Sequence, residues 1–169
     1  MMITKATKED VPELVRLVNS AYRGESSRKG WATEADLLGG IRTDEEAMTE
    51  MVTRPDALVL KYFAEDEIIG CVYLKNQHPK LYLGMLTVKP DIQAQGIGKK
   101  ILHASENYAK ENGFSSIVMT VISLRHALID WYIRRGYHFT GEKKPFPSGD
   151  PRFGIPKREL EFVVLEKTL

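Results

Sequence analysis

What this sequence lacks narrows its class before any motif is read. It has a single cysteine, Cys71, so no disulfide can staple the chain to itself, and such usage fits a reducing compartment. Basic and acidic residues nearly cancel, 24 against 23, whereas a nucleic-acid binder usually carries a strong basic excess. No stretch reaches the roughly 18 apolar residues of a membrane span. The opening MMITKATKEDVPEL has none of the apolar run of a secretory signal. The four histidines, His78, His103, His126 and His138, sit at no metal-ligand spacing, so no metal is expected. Internal repeats and low-complexity tracts are missing as well. What is there is ordinary: 169 residues, 43% of them hydrophobic, which is enough to bury one sizeable core. The expectation is a soluble, cytoplasmic protein with one domain over residues 1–169.

Hydrophobic periodicity orders the elements. Residues 2–6 make a short strand. Thr7 or the pair Glu9 and Asp10 opens a helix that tolerates Pro12 in its first turn, and Val11, Leu14, Val15, Val18, Ala21 and Tyr22 recur on one face. Residues 33–38 allow a helical turn or two among several glycines, and Thr43 or Asp44 caps a second helix to about Thr53. Runs at 57–64, 68–75 and 81–88 read as strands joined by tight turns, the last stopped by Pro90. Cys71, among Ile69, Val72 and Leu74, reads as a small buried hydrophobe. A helix over 96–112 ends at Asn112-Gly113, and the β-branched run 117–122 is a buried strand. A helix over 124–135 closes at Gly136. Strands begin at 137–140 and at 160–165, on either side of a proline-punctuated loop, 144–158. Strands that occur both as hairpins and around helices imply a mixed sheet covered by helices.

The most informative segment is 81–102, LYLGMLTVKPDIQAQGIGKKIL. A strand ends at Val88-Lys89-Pro90, and Gln95-Gly96-Ile97-Gly98-Lys99 then opens an amphipathic helix. Glycines there let a backbone approach a ligand closely. Unpaired amides and the helix dipole suit a phosphate, and Lys99 and Lys100 add positive charge. The segment lacks the third glycine of a dinucleotide fingerprint and the Gly-Lys-Ser/Thr of a P-loop. Taken alone it is either an anion site or a tight turn.

Gln93-Ala94-Gln95-Gly96-Ile97-Gly98 resembles the Gln/Arg-x-x-Gly-x-Gly/Ala signature of the GNAT superfamily of N-acetyltransferases, and the strand ending in Val88-Lys89-Pro90 is similar too. Downstream, Tyr132 through Gly136-Tyr137 resembles that family's Tyr-x-x-x-Gly-Phe/Tyr helix end. The resemblance implies an α/β (α+β) fold with a mixed, mostly antiparallel central sheet of about seven strands flanked by about four helices. It implies acetyl-CoA as co-substrate. Leu86, Thr87 and Val88 would flank the pantetheine arm, and Gln93, Ala94, Gln95, Gly96, Ile97, Gly98 and Lys99 would cradle the pyrophosphate, mainly through backbone. It implies that Tyr132 is the general acid for the departing thiolate. On its own helix, where Leu128, Trp131, Tyr132 and Arg135 share a spacing, Tyr132 reads equally as a packing residue.

The chain also departs from that pattern. Arg125 stands where many relatives carry Asn, as a CoA phosphate contact or a solvated charge. No acid lies in 81–88 or 117–122, and Thr120 occupies a position where one subgroup carries its base. An amine of pKa about 10.4 must lose a proton before attack. The candidates are Glu25, Glu34, Asp36, His78, His126 or a water chain. Glu34 is preferred because its segment lines the acceptor groove in similar proteins. The expected activity is direct acetyl transfer from acetyl-CoA to a primary amine, a small molecule. The competing readings are a non-catalytic acyl-CoA-binding or regulatory module, prompted by the missing strand glutamate, and a protein-binding domain using 144–158 as an arm. Residues 25–50 hold seven acids against three bases and would draw a cationic amine. Residues 134–158 hold seven bases against two acids and would receive a carboxylate, CoA's phosphates or a second subunit. A homodimer is carried over from similar proteins.

Overall fold

The computed structural model describes residues 2–22, 38–39, 42–92, 95–145, 155–156 and 160–169. In chain order the elements are β1 (Met2–Lys5), α1 (Val11–Tyr22), β2 (Leu38–Gly39), α2 (Glu45–Thr53), β3 (Ala57–Ala64), β4 (Glu67–Gln77), β5 (Lys80–Val88), α3 (Ile97–Glu111), β6 (Ser116–Ile122), α4 (His126–Ile133), β7 (His138–Pro145), β8 (Ile155–Pro156) and β9 (Glu161–Thr168). Seven strands form one sheet in the order β1-β3-β4-β5-β6-β9-β7. All its ladders are antiparallel except the one between β5 and β6. The mixed, mostly antiparallel seven-stranded sheet with four helices is thus the architecture expected.

Strand alternation sends neighbouring residues to opposite faces, and here each face meets its own pair of helices. Cys71 joins Leu14, Val18 and Ala21 of α1 and Met48 and Val52 of α2. Its neighbour Val72 joins Ile97, Ile101 and Ala109 of α3 and Ile129 and Tyr132 of α4. Desolvation in that wall pushes the Cys71 thiol up to about 12, so it stays an uncharged packing group. A helix as short as α2, with 9 residues, is not stable alone in water. Met48 and Val52 bury against α1 and the sheet, at about 1.5–3 kcal/mol for each such side chain. Asp44 Oδ1 accepts the Ala47 amide at 2.8 Å, the cap read from the sequence. At the start of α1, Asp10 accepts the Thr7 amide at 2.8 Å and Lys61 Nζ of β3 at 2.9 Å, tying the helix entry to the sheet.

Two segments differ from the reading of the sequence. Of 33–38, where helical turns were expected, only Leu38 is described, and it pairs with Pro156 in the two-residue ladder of β2 with β8. That ladder also interrupts the expected loop 144–158. β7 runs on through Pro145 because β9 templates it, with Lys143 opposite Val163 and Pro145 opposite Glu161. A proline is tolerated as the last residue of such an edge strand. Among the described residues no helix is long and apolar enough to cross a membrane.

Candidate active site

β5 and β6 pair only where Lys80–Tyr82 meets Ser116–Val118. Beyond that point β5 follows β4 and β6 follows β9 as far as Ile122, so the two strands part into a cleft. The closed end is clasped by one carboxylate. Glu166 on β9 accepts Lys80 Nζ at 2.9 Å and Ser116 Oγ at 2.8 Å. The Lys80 ammonium holds Glu166 below the usual carboxylate range, against burial and with help from Ser116.

The open end is shaped by a bulge. Tyr73 pairs with Gly84 and Cys71 with Thr87, so Met85 and Leu86 together face Val72. Met85 has φ 57°, a left-handed conformation uncommon for a side-chain-bearing residue. The extra residue reverses the alternation. Leu81 and Leu83 face the α3 core, Met85 turns into the α1–α2 core, and Leu86 and Val88 return. Two hydroxyls hold the displaced carbonyls. Thr87 Oγ1 donates to Met85 O at 2.8 Å, and Tyr22 Oη, from the end of α1, donates to Leu86 O at 2.5 Å. Gly84 leaves room for the Tyr82 ring, which a Cβ there would meet at 2.9 Å.

Past Val88 the chain makes one 3-10 turn over Pro90–Ile92 and enters α3 through Gly96. Gly96 has φ 76° and ψ 10°, a region only glycine enters without steric cost. Among the described residues a Cβ on it would meet nothing within 4 Å. The Lys100 amide closes onto Gly96 O at 3.1 Å. The preceding amides, of Ile97, Gly98 and Lys99, are those a helix start leaves without intrahelical partners. Gly98 serves packing instead: a Cβ there would lie 3.5 Å from the Trp131 ring and 3.7 Å from Val88. Below α3, a Cβ on Gly70 would come within 2.6 Å of Ile101 and 2.9 Å of Thr87 O, so this glycine lets the helix sit down on the sheet.

α4 brings the third component. Its cap Arg125 donates its amide to Ile122 O at 3.0 Å, and its carbonyl accepts the Ile129 amide at 3.0 Å, which ties the helix to the free end of β6. Tyr132, the next-to-last residue of the helix, is 4% exposed. Its ring is held edge-on by Trp131 at 5.1 Å and by Tyr137 at 5.7 Å. Burial raises its phenol pKa above the ordinary value, the Tyr22 and Tyr82 phenols add to that, and Arg125 opposes. The hydroxyl therefore stays protonated at neutral pH. Among the described residues it makes no hydrogen bond, which leaves it a donor with nothing to donate to.

A family model described as an acetyltransferase (GNAT) domain matches residues 34–146. The chain belongs to the GNAT acetyltransferase family. It is similar to a probable N-acetyltransferase 14 of Xenopus tropicalis, 31% identical over 81 residues, which are 47% of this chain. The match spans only 39% of that relative's length. The crystal structure of the ribosomal-protein-S18-alanine N-acetyltransferase of Escherichia coli superposes with a TM-score of 0.73 at 14% identity, over 99% of this chain and 92% of that one. The PaiA N-acetyltransferase of Thermoplasma acidophilum, solved in complex with coenzyme A, gives 0.71 at 20% identity, over 99% and 98%. At such identities the two structures speak for the fold.

Within this GNAT framework the residues singled out in the sequence fall into place unequally. Leu86, Thr87 and Val88 sit at the open end of β5, but all three side chains are buried, so only their main chain can serve a ligand. Gln95, Gly96, Ile97, Gly98 and Lys99 form the start of α3, which touches α4 through Gly98 and Trp131. Arg125 and Tyr132 are brought to the same region. Thr120 Oγ1 lies 3.5 Å from Tyr82 Oη, inside the parting of the strands. His78 is placed elsewhere. It precedes Lys80 at the closed end, eight strand steps and thus about 26 Å from Val88, so it is no candidate base for this cleft. His126 is exposed at the first position of α4. Glu25, Glu34, Asp36, Gln93 and Ala94 lie outside the described residues. The sequence reading missed Tyr22, taken only as part of an apolar helix face, and it missed the bulge. Its one hint in LYLGMLTV was Gly84, yet the positive φ falls on Met85.

Proposed function

We propose that this GNAT-family chain transfers the acetyl group of acetyl-CoA directly to the primary amine of a small molecule bound in the cleft between β5 and β6. One observation carries the reading. Among the described residues, a helix start with leftover amides, a strand edge turned by a bulge, and a protonated phenol without a hydrogen-bond partner meet at one cleft mouth. Bound acetyl-CoA supplies the activated thioester. The amides from Gln95 to Lys99, continued by Gln93 and Ala94, suit its pyrophosphate, with Arg125 as a further cationic contact. The main chain of Leu86, Thr87 and Val88 offers the pantetheine amides what a neighbouring strand would offer. Amides at the Met85–Leu86 bulge, stiffened by Tyr22 and Thr87, are suited to polarise an acyl carbonyl. Tyr132 holds the proton for the leaving thiolate, and Glu34 is the base proposed for the amine. The acid-rich stretch 25–50 supports a cationic acceptor.

The test is calorimetric titration of the purified protein with acetyl-CoA, beside Gly98→Glu. That variant has contact room for a Cβ at 3.5 Å but sets a carboxylate at the helix start. Binding by the parent alone, followed by thiol release across a panel of amines, is the expected result. A folded parent that does not bind acetyl-CoA sinks the proposal. Binding without transfer to any amine gives the site to the acyl-CoA-binding module instead.

A further inference from the structure

The two faces of the sheet serve different parts of the cleft mouth. Ile97 at the start of α3 and Tyr132 belong to the face covered by α3 and α4, the side to which the acetyl-CoA reading assigns the co-substrate's phosphates. The opposite face, under α1 and α2, carries at the same open end a cation with no part in that reading. Arg42 lies between β2 and α2, and its main chain is clamped to α1. Asn19 Oδ1 accepts the Arg42 amide at 2.8 Å and the Thr43 amide at 3.0 Å, and Asn19 Nδ2 donates to Thr43 O at 3.0 Å. The Arg42 side chain therefore departs from a fixed point.

Its guanidinium lies over the Tyr22 ring, 5.4 Å from the centroid, and the Tyr22 hydroxyl donates to Leu86 O. One phenol thus separates the guanidinium from the bulge suited to the acyl carbonyl. Burial raises the Cys71 thiol, and the Arg42 charge is among the influences that oppose it; Cys71 pairs with Thr87 on β5. Both contacts put the charge beside the open end of β5. Stacking engages only the flat face of a guanidinium and leaves its in-plane N–H donors for an oxyanion. Among the described residues those donors have no acceptor and the charge has no carboxylate. Arg42 is half-buried, and a charge drawn out of water is costly unless paired. The lysines of the basic stretch 134–158 differ, since Lys143 meets Glu161 at 3.6 Å and Lys144 meets Glu142 at 3.9 Å.

We infer, on the acetyl-transfer reading above, that Arg42 holds an oxyanion of the acceptor: the small molecule acetylated here carries a carboxylate or phosphate beside its primary amine, as an amino acid does. A planar guanidinium suits either group bidentately. Its place on the α1–α2 face, away from the start of α3, assigns it to the acceptor and not to the co-substrate. The acid-rich stretch 25–50 draws the ammonium end of such a zwitterion, and Arg42 holds the other end. The transfer is unchanged: the N–C bond forms as the thioester C–S bond breaks, the amine gives up a proton, and the thiolate takes the proton of Tyr132.

The experiment is a thiol-release assay with acetyl-CoA and matched acceptors, amino acids against their carboxamides and phosphoethanolamine against ethanolamine. The parent is expected to favour an anionic member over its neutral partner by roughly 10- to 100-fold in kcat/KM, the range of a charge-assisted contact. The two arms tell a carboxylate from a phosphate. In Arg42→Gln, which keeps the main-chain clamp to Asn19, that preference should fall to within about threefold, and Arg42→Lys should restore part of it. A role confined to packing on Tyr22 lowers both members of a pair alike and leaves the preference standing; that result overturns the inference. A parent that acetylates the neutral members as readily as the anionic ones overturns it too, while acetyl transfer stands. No transfer to any amine, or no binding of acetyl-CoA in the calorimeter, removes the acetyl-transfer reading and this inference with it.

Discussion

Replacing Tyr132 by phenylalanine separates chemistry from packing. The ring is pinned between Trp131 and Tyr137 at 5.1 and 5.7 Å, and phenylalanine preserves both contacts. The hydroxyl makes no hydrogen bond among the described residues, so its loss leaves no donor or acceptor stranded. Stability should change by no more than about 0.5 kcal/mol. A general acid contributes about 10²- to 10⁴-fold, or roughly 2.7–5.5 kcal/mol of barrier. With a good amine, kcat in a thiol-release assay should therefore fall at least a hundredfold, and KM for acetyl-CoA should stay within about twofold. The pH profile adds a check. Burial lifts the phenol above its ordinary value, and the protonated form is the donor. Activity that depends on it persists as pH rises through 9 and is lost only above that raised value. A variant that turns over within twofold of the parent refutes the assignment. A loss of stability well beyond 1 kcal/mol refutes the view that the hydroxyl has no partner.

Other outcomes follow from the same geometry. Gly70→Ala forces a methyl to 2.9 Å from Thr87 O and 2.6 Å from Ile101, so α3 or β5 must shift; urea unfolding should show a loss of about 1–3 kcal/mol. Tyr22→Phe removes the hydroxyl from the buried Leu86 carbonyl and should cost about 1–3 kcal/mol, with kcat falling more than acetyl-CoA affinity if the bulge positions the acyl carbonyl. For Asp10, burial raises the carboxyl, but the Thr7 amide and Lys61 outweigh it and the net shift is downward. Glu166 is lowered chiefly by Lys80. Lowered folded values mean stability present above the ordinary carboxylate range of about 4 and lost as pH falls through the folded values. Asp10→Asn and Glu166→Gln should each cost about 1 kcal/mol at pH 7 and nothing near pH 2; equal losses at both pH values would show that charge is not the cause.

The sequence by itself determined what local chemistry can encode. Apolar periodicity set the order and type of the long elements, Thr43 or Asp44 marked a cap, and the glycines with their lysines marked the start of α3, because each of these depends on residues within a turn or two. Only the tertiary structure decided where the cleft opens. The bulge falls on Met85, not on the adjacent glycine, since Cys71 and Tyr73 on β4 and the Tyr22 hydroxyl 64 residues away fix the backbone there. His78 read as a candidate base until the β5–β6 ladder put it at the closed end. Arg135 read as part of a helix stripe and of a basic stretch, and only the fold set its guanidinium over the Trp131 ring. Such arrangements join residues far apart in the chain, and no spacing along a single strand or helix carries a signal for them.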